Sequence, residues 1–156
     1  MSVTVAEVRS RAATALATAT GWSESGYIGG LQWTRTGEAE QAQSGTFAVT
    51  CPSTTSYGTA DIQIPVRAVG FVPDRQTLVR IDWRASIPMG GSLTALDAAY
   101  DSETDLAAAL TSIDTTGGLR LWETSAEREV VQDEDGAVVA IHGVLIYTAV
   151  HPFVRS

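Results

Sequence analysis

The chain has 156 residues, with eighteen acidic and ten basic side chains and a formal charge of −8 at pH 7. A chain of that length can bury a core of its own, so a single domain over residues 1–156 is expected, with no need of a disulfide or a structural metal. The acidic balance argues against a general duplex-binding surface, which rests on clustered Lys and Arg. All ten basic residues are Arg, so chemistry that depends on a lysine Schiff base or a phosphate-loop lysine is also excluded.

Cys51 is the only cysteine, which rules out an internal disulfide and makes a cytoplasmic setting the simpler expectation. The N-terminus lacks the apolar core of a signal peptide, and no stretch approaches the ~18 uninterrupted apolar residues of a membrane span. A soluble protein with no membrane partner is therefore expected.

The chain opens with a helix signal. Thr4 and Glu7 have the spacing of a capping box, in which hydroxyl and carboxylate each satisfy a free backbone N–H of the first turn. Val5, Val8, Ala12, Ala15, Leu16 and Ala19 then recur at helical spacing, and the helix is expected to end near Gly21. Its stripe is mostly small, which suits close packing on a sheet or on a neighbouring copy.

Residues 22–45 shift to Gly, Ser, Thr, Glu and Gln, with a short strand signal at Leu31, Trp33 and Arg35. A polar stretch of this length reads as an extended loop or an arm that orders on a partner. Trp22, Leu31 and Trp33 would then be interface anchors, because aromatic and apolar side chains on a polar segment make good ones. The alternative is that the two tryptophans fold back onto the domain's own core.

The middle of the chain reads as antiparallel sheet. Phe47, Val49 and Cys51 alternate with Thr46, Ala48 and Thr50, and Ile62, Ile64 and Val66 form a second run that Pro65 pushes towards an edge. In residues 77–85, Val79, Ile81, Trp83 and Ala85 point one way and Arg80, Asp82 and Arg84 the other. That is the pattern of a strand with one covered and one charged face. Arg80, Asp82 and Arg84, with alternating signs, are candidates for pairing across a subunit boundary.

Ser92 is placed to cap a main helix whose stripe runs through Leu93, Leu96, Tyr100, Ala107, Leu110 and Ile113, with a bend expected around residues 102–104. Gly117 and Gly118 stop it. Strand signals follow at Leu119, Leu121 and residues 129–131, then a charged turn at 133–136. The apolar, β-branched run 138–153 comes last; it reads as a long strand covered on both faces and as the second arm of a terminal hairpin. The fold class is thus α+β: a mixed, mainly antiparallel sheet packed with an N-terminal helix and one main helix, ending in a long β-hairpin.

Catalytic patterns are weak. Cys51 sits on an apolar-facing strand position with no local motif, so an inert thiol is expected. His142 and His151 lie nine residues apart on one strand, roughly 30 Å when extended, and so cannot share a metal. No nearby carboxylate constellation is evident for either. The glycine pairs at 29–30, 90–91 and 117–118 match neither phosphate-loop pattern and read as turns. No enzyme, no cofactor and no metal are expected.

In layout the chain resembles the tail terminator proteins of long-tailed, siphovirus-type bacteriophages. The likeness rests on the capped N-terminal helix, the strand TLVRIDWRA at 77–85, the helix SLTALDAAYDSETDLAAAL at 92–110, the strand around LRLWE at 119–123 and the final strand 138–153. It implies a virion structural protein, assembled in the host cytoplasm, that forms a homohexameric ring in the neck. Such a ring caps the tail tube protein's finished tube and presents its other side to the head connector protein. DNA would pass through without being gripped, and an acidic lumen suits that passage. Asp97, Asp101 and Asp105, on the polar side of the main helix, are the lumen candidates; the plainer reading is a solvated helix face. Two other functions stay open: another head–tail joining or tail-completion protein, and a small intracellular binding domain with an apolar pocket under the main helix.

Overall fold

Helix α1, Val5–Leu16, starts as its sequence dictates: the Thr4 hydroxyl accepts from the Glu7 backbone N–H and the Glu7 carboxylate accepts from the Thr4 N–H, both at 3.1 Å. The computed structural model describes residues 3–24, 45–56, 74–88 and 92–152. Helix α1 stops at Leu16, with Ala17 as its C-cap, a turn earlier than expected. The backbone then turns through Ala17–Gly21, where Gly21 takes the left-handed conformation (φ 82°).

The remaining elements are strand β1 (Ser23–Glu24), β2 (Thr46–Ser56), β3 (Asp74–Ser86), helix α2 (Leu93–Leu110), β4 (Arg120–Gln132) and β5 (Val138–Pro152). Among the described residues the strands form one five-stranded sheet in the order β1-β2-β3-β5-β4. The short β1 pairs parallel to β2 and every other pair is antiparallel, so the sheet is mixed and mainly antiparallel, as expected. The strand signals at Leu31–Arg35 and Ile62–Val66 fall outside the described residues.

The terminal hairpin is closed by Asp133. Its Oδ1 accepts from the backbone N–H groups of Asp135 and Ala137, both at 2.9 Å, and Gly136 supplies the positive φ that the turn needs. Sequence alone marks two separate strand signals after α2. They belong to one thirteen-residue strand, bulged between Glu123 and Ser125 and again at Val131–Gln132.

Both helices lie on one face of the sheet. Val8, Ala12, Ala15 and Leu16 of α1 and Ala99, Leu106 and Leu110 of α2 share a core with Phe47 and Val49, with Val79, Ile81, Trp83 and Ala85, and with Ile141, Leu145 and Tyr147. These sheet residues alternate along their strands, so period-two geometry puts them on the helix side. Ser92 caps α2 by accepting from Ala95 at 3.4 Å. No second cap forms at 102–104: α2 runs on as one helix, and the Ser102 hydroxyl, which could have capped a second helix, instead donates to the Ala98 carbonyl one turn back.

The register explains one glycine. Trp83 lies opposite Gly143 on β5 and Phe47 on β2. A Cβ on Gly143 would collide with the Trp83 indole, so the ring occupies space that any other residue would fill.

Candidate functional site

Three regions carry polar or exposed features beyond the core. The first is the strand face turned away from the helices. Asp82 and Arg84, expected on an open charged face, are in fact only 2% and 5% exposed, while Arg80 is exposed. Burial of this kind requires local partners. Arg80 Nε and Nη2 donate to the two Asp82 oxygens at 3.0 and 3.2 Å, and His142 Nε2 lies 3.3 Å from Asp82 Oδ1. Burial would raise the Asp82 pKa, but the hydrogen bonds from His142 and Arg80 outweigh it and hold the carboxyl below its ordinary value. Burial lowers the pKa of Arg84. Asp82 is thus engaged within the chain by Arg80 and His142, while Arg80 keeps an exposed flank.

Sequence reasoning missed the neighbour of His142. It treated the histidine as lacking a carboxylate because Asp82 lies sixty residues earlier; only the β3–β5 register, which pairs Asp82 with Val144 and Arg84 with His142, brings them together. His151 is different again. Its Nδ1–H donates to the Val3 carbonyl at 2.8 Å and its Nε2 accepts from the Thr77 hydroxyl at 2.7 Å, with Thr54 a further 3.0 Å on. Burial pushes its pKa down, so this fully buried ring is a neutral crosslink between the N-terminal segment, β3 and β5. Among the described residues, no cluster of three His, Cys, Asp or Glu side chains is arranged to hold a metal ion. Cys51 is half-buried, and burial pushes its thiol pKa up, against a weaker lowering by Arg9.

The second region is the edge formed by α2, β4 and the hairpin turn. Residues 92–152 hold eleven acidic side chains and only Arg120 and Arg128 as basic ones, while residues 1–91 hold seven of each. The whole negative charge of the protein is therefore concentrated in its second half. Asp97, Asp101 and Asp105 are all exposed on α2. On β4, Glu127 and Glu129 are exposed, whereas Arg128 is committed to Glu103 of α2 through contacts of 3.1 and 2.9 Å. Trp122 and Val130 of β4 are large apolar side chains exposed at 47% and 41%.

The third is a groove of about 450 Å³ between the C-terminal half of α2 and the β4–β5 ribbon, lined by Ala107, Leu110, Thr111, Leu121, Glu123 and Tyr147 among others. Burial, with Glu123 and Glu103 close by, pushes the Tyr147 hydroxyl pKa up to about 12.

Of the proposed arm anchors, Leu31 and Trp33 lie outside the described residues. Trp22 is half-buried and meets Trp83 edge-to-face, with centroids 6.1 Å apart and planes at 81°. The fold-back alternative describes it, since its ring extends the core over the end of β3. No known family model matches the sequence, and no curated protein matches it either.

Proposed function

We propose that the chain is a structural subunit of a phage neck, a tail terminator that caps the tail tube as a ring and joins it to the head connector. The observation that carries this reading is the arrangement of elements. A capped N-terminal helix and one main helix pack on the same face of a mixed sheet whose long last strand sits between β3 and β4, in the order on which the resemblance rests. The charge distribution supports it. A ring that passes DNA works best with an acidic lumen, and exposed Asp97, Asp101 and Asp105 belong to the acidic stretch 92–152. The role works through shape and subunit contacts.

Mass photometry of the purified protein, alone and with tail tubes of the same phage, tests the reading. Ring-sized particles alone, or on the tubes, are expected; a strictly monomeric protein in both conditions overturns it. A second reading, a small binding domain, is favoured by the groove under α2, an open cleft with a largely apolar lining. Binding of an apolar dye that is lost in Ala107→Trp, with no assembly on tubes, would favour that reading.

A further inference from the structure

We infer that the free edge of β4 is a docking site for an extended basic segment of another protein, whose residues alternate between Lys or Arg and apolar side chains. The inference stands on the edge alone and does not depend on the ring reading. Among the described residues, strand β4 ends the sheet and is exposed along almost its whole length, so its outward N–H and C=O groups form a pairing template. Between its two bulges the run 125–131 keeps regular register with β5, the geometry that a further strand can extend.

Side chains on this run define the occupant. Glu127 and Glu129 share one face and make no salt bridge or hydrogen bond to another described residue; Glu127 feels only the more distant charge of Arg80, whose guanidinium is bound to Asp82. Two basic residues at alternate positions of an added strand would stand beside them. On the opposite face, Arg128 is already neutralised by Glu103 and Val130 is exposed, so apolar partners fit there. A second copy adding through its own β4 would bring Glu127 and Glu129 against their equivalents, which like-charge repulsion opposes. The edge is thus blunted towards itself and open to a basic partner.

The test uses a fluorescein-labelled peptide, Lys-Val-Lys-Val-Lys-Val-Lys, and a control of the same composition in which the lysines and valines are blocked together. Anisotropy should report binding of the alternating peptide that weakens at least tenfold for the blocked peptide and for Glu127→Lys/Glu129→Lys. Glu127→Gln/Glu129→Gln, which adds no repulsion, should give an intermediate loss. Hydrogen exchange should slow in residues 125–131 when the alternating peptide is bound. Equal binding of both peptides, unchanged binding by the double variants, protection elsewhere than 125–131, or no binding overturns the inference. So does concentration-dependent dimerisation of the free protein that buries β4.

Discussion

Gly143→Ala places one methyl group into the Trp83 ring, and the structure fixes how that conflict resolves. The indole is fully buried, with Phe47 on the neighbouring strand and Trp22 against it edge-to-face, so it has little room to retreat. Overpacking of this kind costs about 1–3 kcal/mol, and confinement puts this site near the top of that range. Gly143 has no positive φ, so alanine fits the backbone and, by restricting the unfolded chain, returns about 0.4–1 kcal/mol. The net expectation is a loss of about 2 kcal/mol, or a fall in Tm of roughly 4–8 °C for a chain of this size. Urea denaturation followed by tryptophan fluorescence measures it, and a double-mutant cycle with Trp83→Leu gives the sharper result. The two changes should be less costly together than their sum by at least 1 kcal/mol, because the smaller side chain vacates the space. A Gly143→Ala protein as stable as the parent, or strict additivity with Trp83→Leu, would refute the packing assigned here.

Protonation of His151 is opposed in the fold, so stability is complete above its unfolded pKa and declines as pH falls below about 6.5. His151→Gln should remove that slope while lowering stability at pH 7.5 by about 1–3 kcal/mol, as urea titrations across pH will show. Asp82 acts at lower pH: its carboxyl is held below the ordinary value, so its contribution is whole above about pH 4 and is lost as pH falls through the folded pKa. Asp82→Asn should flatten that acid limb, and an unchanged limb would mean that Arg80 and His142 do not hold the carboxylate. Tyr147, raised by burial and by nearby Glu123 and Glu103, should ionise near pH 12 in an ultraviolet titration, and Glu123→Gln should move the transition downwards by removing one negative charge; the stability tied to its neutral form is whole below pH 10 and is lost as pH rises through 12.

The elements with strong local signals were legible in the sequence. The capping box at Thr4 and Glu7, the alternation of Val79, Ile81 and Trp83, and the Asp133–Gly136 turn each act within a few residues, and each produced the element expected. What local pattern cannot supply is register. Alternation assigned Asp82 and Arg84 correctly to the face opposite Trp83, yet polar identity was read as exposure. That failed because one of the two partners of Asp82, His142, arrives on a strand sixty residues later. The same gap hid the reason for Gly143, whose missing side chain makes sense only beside Trp83 across the β3–β5 pair. The asymmetry of charge was present in the sequence all along, but only strand order shows that β4, carrying Glu127 and Glu129, is the exposed edge.

Electron microscopy of tail tubes polymerised with and without the protein tests the ring proposal most directly. The account predicts a ring of copies seated on one end of each tube, with a central channel lined by α2 and tube lengths that stop growing once the ring is bound. Bare tube ends beside unassembled protein, with tube length unaffected by its addition, would contradict it.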